Sequence, residues 1–200
     1  MEIGGDWYDA LRCRDGTIAF AVGDVVGKGL RAAAAMSQVR NALRAYAHEG
    51  HDPDVILVRL NELIESVGGP ALTTVFVGKL DPTSRTLTYA NAGHPPALLL
   101  QAGGNVLMLD DAHGLPLGVG NEVQAKQTVR VLQPHDLLLM FTDGLVERRD
   151  LPIGDGLERL RRCLQGSAAT CEALLAKVVQ TLAENEPEDD VALLAIEIAG

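Results

Sequence analysis

The order of two hydrophobic periodicities constrains this chain more than any single motif does. Helical spacing occurs in two pairs of segments, with strand-like runs before, between and after them. Residues 28–48 are helical in pattern, with alanines at 32–35 as strong helix formers and Leu30, Ala34, Leu43 and Ala47 assigned to one face. A second helix opens at Asp52-Pro53, with Asp52 as N-cap and Pro53 at the first helical position. Its apolar stripe is Ile56, Leu60, Leu63, Ile64 and Val67, and Gly68-Gly69-Pro70 stops it. Towards the C-terminus, Leu157, Leu160 and Leu164 make a short stripe, and Leu174, Leu175, Val178, Val179 and Leu182 a longer one. Alternating βαβ units would interleave single helices with single strands. Paired helices between runs of strands instead predict α+β layers.

The strands are punctuated by turn chemistry. Trp7-Tyr8, after Gly4-Gly5-Asp6, reads as the end of a strand entering a turn, and Asp15-Gly16 is a hairpin signal. Residues 17–22 form a short apolar strand that ends at Gly23-Asp24. Strands are then predicted over 72–80, 86–90, 96–101, 105–109, 122–131 and 136–142, separated by Asp81-Pro82, Gly103-Gly104 and Gln133-Pro134. Residues 191–198 form a last buried strand. With no repeat, low-complexity tract or linker, the simplest organisation is one compact domain over residues 1–200.

A chain of 200 residues, 47% hydrophobic and 22% charged, buries a core without disulfides or structural metals. Its net charge of −10 argues against broad nucleic-acid binding and against anionic membrane surfaces. It suits a protein that gathers cations. Cys13, Cys163 and Cys171 are odd in number and none are in CxxC spacing, so a disulfide framework and a zinc ribbon are both disfavoured. A reducing cytoplasm is the expected location. No run of about 18 apolar residues suggests a membrane span, and MEIGGDWYDA lacks the basic start and apolar centre of a signal peptide.

The chemistry-bearing residues are aspartates beside glycine or at strand ends: Asp6, Asp24, Asp143 and the pair Asp189-Asp190. Burying such a carboxylate alone is costly, and no Lys or Arg lies within three residues of Asp6, Asp24 or Asp143. A cation neutralises several at once. All-oxygen ligands select hard ions such as Mg²⁺ or Mn²⁺, and two ions sharing a carboxylate suit phosphoryl chemistry. Against this stands the ordinary reading of Asp-Gly as a turn.

Six segments carry a family resemblance: Gly4-Gly5-Asp6-Trp7-Tyr8-Asp9, Gly23-Asp24-Val25-Val26-Gly27-Lys28-Gly29, Ala92-Gly93-His94-Pro95-Pro96, Gly114-Leu115-Pro116-Leu117-Gly118, Phe141-Thr142-Asp143-Gly144-Leu145-Val146-Glu147 and Asp189-Asp190-Val191-Ala192. In this order and spacing the chain resembles bacterial PPM-type (type-2C-like) serine/threonine phosphatases of the SpoIIE/RsbU subfamily, over essentially its whole length. The resemblance implies a four-layer α-β-β-α sandwich of two antiparallel sheets flanked by helix pairs. It implies two Mn²⁺ or Mg²⁺ ions. Asp24 would bridge them, Asp6 and the Val25 carbonyl would bind one, and Asp143 and Asp189 the other. Asp190 would lie just outside the ligands or exchange roles with Asp189. Asp24 and Asp143 would then be the catalytic carboxylates, serving a metal-bridging hydroxide that attacks phosphorus.

The same resemblance implies a phosphoserine or phosphothreonine substrate on a regulatory protein, a STAS-type anti-sigma-factor antagonist, and an upstream sensor domain in longer forms. Val26 stands where larger members of the superfamily carry a histidine. The family's usual first strand has no counterpart before Gly4, which would leave a sheet edge able to lower stability or promote homodimerisation. Lys28 and Arg31 are candidates for binding the phosphate near a helix N-terminus. His94 is a candidate for a site role or for a structural turn. Two other classes compete with the phosphatase: a catalytically impaired domain of the same fold that binds a partner, and another two-metal hydrolase such as a nuclease.

Overall fold

The computed structural model describes residues 4–66, 72–119, 125–147, 152–166, 170–182 and 190–200. In chain order the strands are β1 (Trp7–Arg12), β2 (Ile18–Val25), β3 (Thr73–Asp81), β4 (Thr86–Ala92), β5 (Ala97–Leu100), β6 (Val106–Leu109), β7 (His113–Gly114), β8 (Gln127–Val131), β9 (Leu137–Phe141) and β10 (Leu193–Glu197). Helices α1 (Leu30–His48) and α2 (Pro53–Ser66) follow β2, and α3 (Ile153–Leu164) and α4 (Cys171–Leu182) follow β9. The chain divides into two compact units, one of Met1–His94 with Asp110–Val131 and one of Pro95–Leu109 with Leu132–Gly200.

In the first unit the Asp15-Gly16 turn sets the register. Asp15 accepts hydrogen bonds from the Thr17 amide at 3.0 Å and the Thr17 hydroxyl at 2.6 Å, and Gly16 takes a φ of +87° that disfavours a side chain. The arms pair antiparallel from Trp7↔Gly23 to Arg12↔Ile18. A strand therefore starts at Trp7 where the sequence suggested that one ends. Burial alternates from that point, Trp7 and Asp9 inward and Tyr8 and Ala10 outward. β2 also runs on to Val25 instead of stopping at Gly23-Asp24, because β3 pairs along its whole length, from Ile18↔Leu80 to Val25↔Thr73.

The sheet order is β1-β2-β3-β4-β7, with β8 also paired to β4. All its pairings are antiparallel except the two-residue β4–β7 contact, which is parallel. One face carries Trp7, Ala19, Ala21, Val75, Val77, Ala90 and Ala92, packed with Val39, Leu43, Ala47, Ile56, Leu57, Leu60 and Ile64 of the helices. The small residues on this face let the helices approach closely. Each fully buried Leu contributes about 1.5–3 kcal/mol.

The buried stripe of α1 is Ala32, Ala35, Val39, Leu43 and Ala47, whereas Leu30 and Ala34 are exposed. A run of alanines carries no periodicity from which to choose a face, which is why the expected stripe was displaced at its start. The opposite sheet face is also buried. Phe76 stacks on Tyr89 with centroids 5.6 Å apart, and Phe20 lies over Gly78, where a Cβ would overlap its ring. In α2, Ile56, Leu60 and Ile64 are buried as expected and the helix starts at Pro53, but Leu63 is only half-buried and Leu57 joins the buried face, while Val67 and Gly68-Gly69-Pro70 lie outside the described residues.

The second unit holds an antiparallel sheet of order β10-β9-β5-β6. All five residues of β9 are buried. Its core joins Leu98, Leu100, Leu137, Leu139 and Phe141 to Leu160, Leu164, Leu174 and Val178 of α3 and α4. Asp136, just before β9, is buried with both carboxylate oxygens engaged, accepting from the Ala102 amide at 3.0 Å and the Gln133 amide at 2.8 Å. This strand-start aspartate is structural. The two sheets and two helix pairs make the α+β class expected from the periodicities. Among the described residues no helix is long and apolar enough to cross a membrane.

Candidate functional site

Strand alternation decides where Asp24 points. Ala19 and Ala21 face the helices, so Phe20, Val22 and Asp24 share the other face. Asp6 is the residue immediately before β1, and the Val25 amide donates to the Gly5 carbonyl at 3.3 Å, which ties the two segments together. Asp6 and Asp24 are both half-buried, and one carboxylate oxygen of each lies within 4.8 Å of the other. Two negative groups this close, partly out of water, repel each other unless a cation stands between them.

Gly5 makes the close approach possible. A Cβ there would overlap the Val25 carbonyl oxygen and come within 2.7 Å of Asp24 Oδ1. Glycine thus lets the Val25 carbonyl and the Asp24 carboxylate pack directly against the residue before Asp6, which gathers two carboxylates and a carbonyl. This all-oxygen donor set fits a hard divalent cation.

The loop after Asp24 leaves the sheet quickly. The Val26 amide donates to the Leu72 carbonyl at 3.0 Å, while the Val26 side chain is exposed. Lys28 and Arg31 are exposed on either side of the α1 N-terminus, whose first turn contains no acidic residue.

His94 lies in the same unit and is 1% exposed. Asn91 holds its backbone from both sides: Oδ1 accepts from the His94 amide at 2.8 Å, and Nδ2 donates to the His94 carbonyl at 2.8 Å. The ring Nδ1 lies 2.9 Å from the Thr74 hydroxyl. Thr74 is the residue directly opposite Asp24 across the β2–β3 ladder. Neither Asn91 nor Thr74 was singled out from sequence. Asn91 had a signal, a lone amide in the apolar end of a strand; Thr74 had none.

In the second unit, Asp143 follows β9 and opens a short 3-10 turn, its carbonyl accepting from the Val146 amide at 2.8 Å and the Glu147 amide at 2.7 Å. The chain entering β10 runs beside it. The Thr142 amide donates to the Ala192 carbonyl at 3.1 Å, and the Ala192 amide donates to the Thr142 hydroxyl at 2.8 Å. Gly144 packs on the backbone carbonyl of Asp190, where any side chain would collide. The ladder thus sets Asp143 beside the segment that starts at Asp190, far from it in sequence. Asp190 is exposed, and Asp189 lies outside the described residues.

The family profile described as "Stage II sporulation protein E (SpoIIE)" matches residues 14–199. The chain belongs to this family. Among curated relatives, Phosphoserine phosphatase RsbU of Bacillus subtilis is 31% identical over 149 residues, which are 74% of this chain and 44% of RsbU. The chain thus spans less than half the length of that relative. A solved structure of the RsbU and RsbW domains of a Mycobacterium tuberculosis protein is 34% identical, with a TM-score of 0.87 over 98% of this chain and 57% of that one. The PP2C phosphatase domain of SpoIIE from Bacillus subtilis, solved with a fragment of its regulatory domain, shares the fold at 21% identity and a TM-score of 0.81, over 98% of this chain and 57% of that one.

Proposed function

We propose that this chain is a metal-dependent serine/threonine protein phosphatase acting on a phosphorylated regulatory protein. The observation that carries the reading is the convergence of the Asp6 and Asp24 carboxylates, with the Val25 carbonyl packed against Gly5 beside them. Membership of the SpoIIE family and similarity to RsbU, named a phosphoserine phosphatase, support the reaction class.

In this reading Asp24, Asp6, the Val25 carbonyl, Asp143 and Asp189 would hold two ions, with Asp24 shared between them and Asp190 next to the ligands. When bound, Mn²⁺ or Mg²⁺ supplies hydroxide near neutral pH and offsets charge on the phosphoryl group. The chain's own part is to fix the Asp6, Asp24, Val25 and Asp143 donors at or next to strand ends, where neighbouring ladders hold them in place. Asp24 and Asp143 are the carboxylates on which activity depends most. Lys28 and Arg31 draw the phosphoryl group towards the α1 N-terminus. The proposed substrate is a phosphoserine or phosphothreonine on a STAS-type anti-sigma-factor antagonist in the cytoplasm.

The test is hydrolysis of such a phosphoprotein beside a short phosphoserine peptide, with Mn²⁺ and with chelator. Turnover that needs Mn²⁺ and favours the folded phosphoprotein supports the reading. Turnover insensitive to chelator, or absent with every phosphorylated substrate, contradicts it.

A further inference from the structure

We propose that Thr74 is a positioning residue for the Asp24 carboxylate, and that His94 holds the Thr74 hydroxyl in that role. The inference rests on the metal-binding reading of Asp24 given above. Cross-strand partners point to the same side of a sheet, so in the pair Asp24↔Thr74 the two side chains are neighbours on the face away from α1 and α2. On the other side of Thr74, β4 ends at Ala92 and the chain turns at Gly93 with a φ of +68°, which brings His94 back beside β3. Thr74 therefore stands between the aspartate on β2 and the histidine after β4.

The direction of the bonds follows from the tautomer of His94. An ionised carboxylate only accepts, whereas a hydroxyl has one hydrogen to give and lone pairs to receive. If Thr74 gives its hydrogen to Asp24, its oxygen must receive one from His94, so the ring hydrogen is on Nδ1, at the observed 2.9 Å contact. The ring is a fixed anchor: it is buried, and Asn91, itself 2% exposed, clamps the His94 backbone on both sides. The Thr74 side chain is branched at Cβ and has few rotamers to choose from. Such a relay selects which Asp24 oxygen turns towards a cation and which is occupied by the hydroxyl. Groups that orient a metal ligand in this way matter to affinity by about 10–100-fold.

The experiment is calorimetric titration of Mn²⁺ into the metal-free chain, for the parent, Thr74→Val, Thr74→Ser, His94→Leu and His94→Asn. The Mn²⁺ dissociation constant is expected to rise about 10–100-fold in Thr74→Val, with Thr74→Ser close to the parent. His94→Asn, which keeps a donor near the Nδ1 position, should lose less affinity than His94→Leu. Thr74→Val binding as the parent does, or Thr74→Ser losing as much as Thr74→Val, overturns the relay while leaving the metal centre intact. A parent that takes up no Mn²⁺ overturns both readings. Should Thr74→Val fail to fold, as its metal-free melting would reveal, the comparison of the two His94 variants decides the same point.

Discussion

At the scale of single residues, Gly5 makes the sharpest demand. Its missing side chain leaves room for the Val25 carbonyl and Asp24 Oδ1. Gly5→Ala should lower the melting temperature and lose more than about tenfold in Mn²⁺ affinity, as changes around metal ligands do. Circular dichroism with Mn²⁺ titration checks both parts. Asp9 makes a different kind of demand. It is 8% exposed and accepts two hydrogen bonds from Arg44 Nη1, at 3.1 Å each, and a third from the Ala10 amide at 2.9 Å. Arg44→Ala removes the cation from a mostly buried carboxylate and should cost about 1–3 kcal/mol in chemical denaturation. Asp9 belongs to the same six-residue motif as Asp6, and its bonds to Arg44 and the Ala10 amide give it a packing role.

At the scale of elements, α3 offers a pH test. Arg161 donates to Glu158 at 2.7 and 2.9 Å and Arg162 at 3.0 Å. Chiefly the Arg161 hydrogen bonds hold the Glu158 carboxyl down at about 2. Its pKa in the folded state is depressed, so its contribution to stability is complete above the ordinary value of 4.5 and is lost as pH falls towards about 2. Carboxyl chemical shifts should place the Glu158 midpoint near 2, and Glu158→Gln should flatten the acid-side decline in melting temperature. A midpoint near 4.5 would contradict the pairing. On α2, Asn61 is buried and its Oδ1 accepts from the Gly118 amide at 2.8 Å, so the helix anchors the Gly114-Leu115-Pro116-Leu117-Gly118 segment. Asn61→Leu should destabilise the chain by about 1–3 kcal/mol, because it strands a buried amide.

The whole molecule explains what could be read beforehand. Element types and order were legible because stripes such as Ile56, Leu60 and Ile64 carry their period in the sequence. The proposed ligands could be named beforehand because Asp6, Asp24 and Asp143 stand beside glycines or at strand ends in the sequence. The α1 face was not legible through its alanines, nor was the parallel β7 contact, which depends on two residues. Thr74 was invisible because its meaning comes from a ladder partner fixed by β2–β3 register. Asp136 shows the converse, a strand-start aspartate satisfied entirely by backbone amides.

The central claim is that the carboxylates at these strand ends make the chain a metal-dependent phosphatase. Its most direct test is phosphate release from a phosphoserine peptide by the parent, Asp24→Asn and Asp143→Asn across a Mn²⁺ series. Release should rise with Mn²⁺ in the parent and fall to background in both variants while their folds persist. Release by the parent that either variant retains at saturating Mn²⁺ would contradict it.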